Sequence, residues 1–451
     1  MQIFKMLFIL YTIGSVSSQA QEKAQSLKLD LEIKAVEFVN LLSNEKFAEA
    51  VKYFDRTMKK ALPADKLEDA WNSLTRQLGD FRTQKALKSE EVKEYIVYYV
   101  TCEFEKASID IKVVFNKKGE IAGLFFLPAQ GVKYTIPDYV NKEKFVEYEI
   151  SFGVEEWKLH GTLTLPKGKG PFPLVVLIHG SGPNDRDETI GPNKPFRDIA
   201  WGLASRGIAV LRYDKRSRVH SEKMREIENK ITVNEEVIQD VIEAVKFVKT
   251  RKEIDSSKIF LLGHSLGAML LPRIARLSPD IAGLILMAAA ARPLEDLVFE
   301  QTRYIYSLDG DISKEEKRKL EELKKQVDMV KSPDLSPSTP RESLPLGIPA
   351  SYWLDLRGYD PVSVARTLDK PILILHGSRD YQVTIEDFLR WKEALGTSEK
   401  VTLKLYPHLN HLFMKGEGKS VPAEYLRKGH VEEEVIQDIA DWIYRVCKQE
   451  K

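Results

Sequence analysis

Gly263-His264-Ser265-Leu266-Gly267 follows the apolar run KIFLL (residues 258–262) and leads into Ala268, Met269, Leu270 and Leu271. The reading is strand, sharp turn, helix, with a serine at the tip of the turn. A residue there sits on strained backbone, and a side chain at either flanking glycine would crowd the approach. This is the pattern of a nucleophile elbow, in which a serine hydroxyl is held clear of the end of a sheet.

A serine hydroxyl attacks only when a base takes its proton, and that base must be held in one tautomer by an acid. Where a serine occupies such an elbow, the chain order is Ser, then Asp or Glu, then His. Downstream lies PILILHGSRDYQV (371–383), a buried strand ending in Gly377 with Asp380 in the loop beyond it. Next comes VTLKLYPHLNHLF (401–413), a strand whose following loop carries His408 and His411. Both loops lie at carboxyl ends of strands, where open α/β sheets bind ligands. Upstream, PFPLVVLIHGSGP (171–183) reads as another buried strand leading into His179-Gly180-Ser181-Gly182. Charge developing on a carbonyl oxygen needs two amide donors. The candidates are the N–H of Leu266 and that of Ser181, with Gly180 and Gly182 allowing close approach.

From about Lys144 to the C-terminus the chain resembles the α/β-hydrolase superfamily. Residues 179–216, HGSGPNDRDETIGPNKPFRDIAWGLASRGIAVLRYDKR, resemble a bacterial esterase-like group near the dienelactone-hydrolase, prolyl-oligopeptidase and serine-aminopeptidase groups. The resemblance implies a mostly parallel, doubly wound sheet, with Ser265 as nucleophile, Asp380 as acid and His411 as base. His411 matches the Asn-His-Leu-Phe ending of the group, present as Asn410 to Phe413, whereas His408 stands where many relatives have Gly. The implied activity is cleavage of a small-molecule carboxylic ester through an acyl-enzyme. A peptidase or thioesterase using the same triad is the alternative. A non-catalytic binding protein on a hydrolase core is a third reading, against which the intact Ser265, Asp380 and His411 argue. No cofactor or metal is implied, so chelators are expected to leave activity unchanged.

Composition bounds the rest. The 451 residues carry a net charge of +1, which gives no reason to expect nucleic acid or an anionic membrane as partner. Charged residues make up 30% of the chain, read as an ordinary solvated surface rather than a thermophile signature. The two cysteines, Cys102 and Cys447, fall in different expected domains and lack metal-ligand spacing. Residues 1–20, with Lys5, an apolar stretch from Leu7 and a small-residue site ending at Ala20, read as a cleavable signal peptide. A secreted or periplasmic mature protein follows, with no membrane span.

Residues 21–130 read as a small α+β domain. Helices are expected over 27–42, after an Asn44 cap through Phe54, and from Pro63 through Leu78; strands over 95–103, 109–116 and 121–127, with Lys117-Lys118-Gly119 as a hairpin turn. The order resembles the NTF2-like (DUF3887-type) domain found before some bacterial hydrolases. Residues 131–143 form a linker, and 144–451 the catalytic domain, opening with two antiparallel edge strands and continuing in βαβ rhythm. The rhythm breaks at about 292–360, read as a helical lid whose Tyr304, Tyr306, Tyr352 and Trp353 line a substrate pocket or form the lid's own core. Asp185, Arg186, Asp187 and Glu188 read as local ion pairs rather than a metal site. Asp214 and Arg216 offer an Asp–Arg buttress, Asp360 is an alternative acid, and His179 and His264 read as structural.

Overall fold

The computed structural model describes residues 27–105, 108–129, 134–308, 310, 312 and 314–449. The expected signal peptide and most of the expected linker's first residues lie outside this set. The chain divides into two units. The first runs to Tyr134 and takes in Ile190–Asn193 and Pro422–Lys428; the second holds the remainder.

In the first unit a helix over 27–43 and the helix Ala64–Leu78 pack on a four-stranded antiparallel meander. Its strands are β1 (Phe81–Val92), β2 (Tyr95–Phe104), β3 (Ser108–Phe115) and β4 (Ile121–Pro128). Phe38, Phe54, Trp71, Tyr98, Phe104 and Phe115 fill the core. The turn after β3 forms as expected: Asn116 Oδ1 accepts the Lys118 and Glu120 N–H groups. Two expectations need correction. β1 is absent from the sequence reading because FRTQKALKSEEV is polar and mostly exposed, an edge strand without apolar alternation. Asn44 caps no following helix; its Nδ2 donates to Asn40 O at the end of the first one, and Asp55 caps the helix Arg56–Ala61 instead.

The second unit is built on an eight-stranded, mostly parallel sheet. β5 (Phe145–Phe152) and β6 (Leu159–Pro166) form the antiparallel edge. They are followed by β7 (Phe172–Ile178), β8 (Ala209–Tyr213), β9 (Ile254–His264), β10 (Gly283–Met287), β11 (Ile372–Gly377) and β12 (Val401–Tyr406). The spatial order is β12-β11-β10-β9-β7-β8-β6-β5. The central strands are continuous apolar runs because helices cover both faces. On β9, Ile259 and Leu261 enter one core, while Phe260 between them packs edge-on against Trp442 of the helix Glu433–Gln449. Between β10 and β11 the chain inserts the helices Leu294–Tyr306, Lys314–Lys331, Ala350–Leu356 and Pro361–Arg366. This is the stretch where the sequence rhythm breaks. Among the described residues no helix is long and apolar enough to cross a membrane.

Candidate active site

Ser265 joins β9 to the helix Leu266–Leu277 with φ 53° and ψ −118°, a region a non-glycine residue enters only under strain. Two backbone bonds hold it there: its N–H donates to Met287 O at 3.0 Å, and its carbonyl accepts Met269 N–H at 2.9 Å. The flanking glycines are required by contact. A Cβ on Gly263 would lie 2.5 Å from Ala268 N, and one on Gly267 would lie 2.4 Å from Ile178 O. The helix start is thereby pressed against the end of β7. Leu266 opens the helix, where a backbone N–H has no acceptor within the helix itself.

Asp380 follows β11 and His411 follows β12, so both reach the same carboxyl edge as Ser265. His411 Nδ1 lies 2.6 Å from Asp380 Oδ2, and both side chains are buried. The other carboxylate oxygen accepts the N–H groups of Gln382 and Val383 at 2.8 and 3.1 Å. Burial pushes the Asp380 carboxyl up, but the His411 imidazole, His376 and the Val383 amide outweigh it and hold it below the usual carboxylate range. The link between this pair and the elbow is His264. Its Nε2 lies 2.9 Å from His411 O, and the two imidazole rings are 4.6 Å apart.

The loop after β7 lies directly on the elbow, since a Cβ on Gly180 would sit 3.2 Å from Ser265 Cβ. Buried charges hold both sides of Gly180. Its N–H donates to Glu188 Oε1 at 2.7 Å, and its carbonyl accepts from Lys215 Nζ at 2.8 Å. Glu188, itself at φ 50°, places its second oxygen 3.0 Å from His264 Nδ1. Burial pushes the Glu188 carboxyl up and the His264 imidazole down; their mutual attraction reverses both, leaving Glu188 low and His264 high. His264 thus lies between two oxygens, with Glu188 Oε2 near Nδ1 and His411 O on Nε2. His179 differs: burial lowers it to about 4, and its Nε2 pairs with Asp185 O at 3.0 Å.

The remaining candidates separate cleanly. Asp360 caps the helix Pro361–Arg366 through Val362 and Ser363 N–H, while it is Asp380 that meets His411. His408 is exposed, so the structure brings His411, not His408, against Asp380. The expected Asp214–Arg216 buttress forms with other partners. Asp214 takes Arg186, and Arg216 takes Asp240. The loop's charges do pair, but with partners beyond it rather than with one another: Asp187 gathers Arg197, Arg212 and Lys194. A polar cleft of about 690 Å³ borders that network, away from the elbow. Of the insert's aromatics, Trp353 belongs to a small core with Val330, Leu335 and Leu344, and also lines a cavity of about 500 Å³ beside Met269. Tyr352 enters the main core, and Tyr304 packs tilted against Tyr381, the neighbour of Asp380, with ring centroids 5.2 Å apart. Glu188, expected only among a loop's ion-pairing charges, and Lys215, expected only beside Asp214 and Arg216 at a strand end, are the residues that grip Gly180. Each was visible only as a charge on a loop or at a strand end.

The family model described as serine aminopeptidase, S33 matches residues 171–418, and one described as a protein of unknown function (DUF3887) matches residues 35–124. Esterase EstD of Thermotoga maritima is 44% identical over 409 residues, covering 90% of this chain and 94% of that protein. Among solved structures, Est1E from Butyrivibrio proteoclasticus aligns at a TM-score of 0.42 and 16% identity, over 66% of this chain and 99% of its own. An esterase of Pyrococcus furiosus aligns at 0.42 and 16%, over 70% and 98%.

Proposed function

The chain belongs to the serine aminopeptidase, S33 family of α/β-hydrolases, and from that premise we propose that it cleaves carboxylic esters through an acyl-enzyme formed on Ser265. The contact that carries this reading is the buried His411–Asp380 pair on the same sheet edge as the strained Ser265 elbow. In the proposed cycle His411 Nε2 takes the Ser265 proton as Oγ attacks the ester carbonyl. Asp380 holds the opposite nitrogen and stabilises the imidazolium. The N–H groups of Leu266 and Ser181 hold the oxyanion. The tetrahedral intermediate collapses, the C–O bond to the alcohol breaks, and His411 returns the proton to the leaving alcohol. Water, deprotonated by the same imidazole, then attacks the acyl carbonyl; the Ser265–acyl bond breaks, releasing the acid and restoring the serine. Ester hydrolysis is preferred over peptide cleavage because the 44%-identical relative bears the name esterase.

Ser265→Ala is expected to lower turnover of p-nitrophenyl esters by about 10³-fold or more while leaving thermal unfolding unchanged. Retained turnover overturns the assignment. A parallel panel of p-nitroanilides and thioesters separates esterase from peptidase and thioesterase action. We propose further an NTF2-like spacer or docking role for the first unit, and export with cleavage after Ala20. N-terminal sequencing of secreted protein tests the latter; a chain still beginning at Met1 contradicts it.

A further inference from the structure

Gly180 C=O and Ser181 N–H are the two ends of one peptide group. A trans peptide is planar, so fixing the direction of the carbonyl fixes the N–H, which points the opposite way. In this chain the carbonyl is held by a buried cation. Lys215 Nζ donates to Gly180 O at 2.8 Å with its side chain only 3% exposed. Asn184 Nδ2 supplies a second, longer contact to the same oxygen at 3.3 Å and one to Ser181 O at 3.0 Å. A buried ammonium is costly without a counter-charge. Glu236 supplies it, with Oε1 at 2.5 Å from Lys215 Nζ. Glu236 lies in the π-helical turn Asn234–Ile238 that opens the helix continuing through Gln239–Lys249. Turns of this kind recur at functional sites. The second oxygen of Glu236 accepts the hydroxyl of Tyr352 at 2.7 Å, and Tyr352 belongs to the insert helix Ala350–Leu356. Polar contacts therefore run without a gap from the insert to the peptide that bears the candidate oxyanion donor.

Resting on the hydrolase reading above, we propose that Lys215 is a positioning residue that aims and polarises the Ser181 N–H, and that Tyr352, through Glu236, couples the helical insert to that donor. A cation on a peptide oxygen draws electron density from the nitrogen and strengthens the N–H as a donor. The benefit appears only as negative charge develops on the substrate oxygen, so it belongs to the transition state more than to substrate binding. Neither Lys215 nor Tyr352 touches the reacting atoms in this scheme.

The test is steady-state hydrolysis of a p-nitrophenyl ester by wild type, Lys215→Met, Tyr352→Phe and the double variant, with thermal unfolding measured on each. Lys215→Met is expected to lose about 10²-fold in kcat with KM within about threefold, the scale of removing one oxyanion donor. Tyr352→Phe removes a single hydroxyl, so it keeps the fold even where the lysine variant does not, and is expected to lower kcat about three- to tenfold. The double variant is expected to fall short of the product of the two losses, because Tyr352 acts through Glu236 on Lys215, which the first substitution has already removed. The inference is overturned if Tyr352→Phe and any folded Lys215→Met keep kcat within twofold of wild type, if the losses fall on KM, or if they multiply. Absence of ester turnover in the wild type is a different result, which overturns the hydrolase reading and this inference with it.

Discussion

Gly267→Ala separates activity from stability at this site. The added methyl would meet Ile178 O at 2.4 Å and His179 O at 2.6 Å, both backbone atoms at the end of β7. Even a tight contact of 3.0 Å requires the helix start to move by at least about 0.6 Å away from that strand. Overpacking of this kind costs about 1–3 kcal/mol. Replacing glycine by alanine inside a helix returns roughly 1 kcal/mol. The net loss of stability is therefore small, about 0–2 kcal/mol, or a few degrees in Tm at most for a unit this large. Catalysis has no such offset. The shift carries Ser265 and Leu266 N–H away from the loop bearing Ser181, and a displacement approaching 1 Å costs about 10²-fold. The assay is kcat/KM for a p-nitrophenyl ester together with calorimetric Tm. We expect a loss near 10²-fold beside a nearly unchanged Tm. Activity within twofold of wild type would refute the packing argument, and so would a collapse in Tm.

Three other outcomes follow from the same geometry. Asp380→Asn keeps a carbonyl oxygen for the Gln382 and Val383 amides, which turns its NH2 toward His411 Nδ1 and enforces the wrong tautomer. The expected loss is about 10³–10⁴-fold in kcat with little change in folding; a loss under tenfold contradicts it. Glu188→Gln removes the charge facing His264 and is expected to cost about 1–3 kcal/mol near neutral pH. The wild-type advantage should be lost as pH falls through the depressed Glu188 value. It should also be lost as pH rises through the raised His264 value. A difference in urea stability that stays constant across pH would contradict this. His179 is held near 4 against an ordinary imidazole value of 6.5, so the unfolded chain binds its proton first. Stability should therefore fall as pH drops from about 6.5 toward 4, by up to about 3 kcal/mol from this group. His179→Gln should flatten that slope, and parallel profiles for the two proteins would count against the assignment.

The sheet was readable in the sequence because its central strands are apolar runs bounded by glycine-rich loops, a signal that needs no long-range information. The elbow was readable for the same reason, since its two glycines and its serine lie within five residues. β1 was hidden because an exposed edge strand has no apolar face to alternate. The grip on Gly180 was hidden for another reason. Glu188 and His264 are 76 positions apart, and Lys215, Glu236 and Tyr352 come from three separate segments. A buried charge looks the same in a sequence as a solvated one, and only the fold distinguishes them. Asp214 and Arg216 show the converse. They lie two positions apart, yet each pairs with a group from elsewhere in the fold, Arg186 and Asp240.

The most direct test of the account is to treat the full chain with a fluorophosphonate probe and map the adduct by tandem mass spectrometry of its peptides. The account predicts one covalent phosphonyl group on Ser265, with labelling abolished by Ser265→Ala and strongly slowed by Asp380→Asn. An unlabelled protein, or an adduct on any other residue, contradicts it.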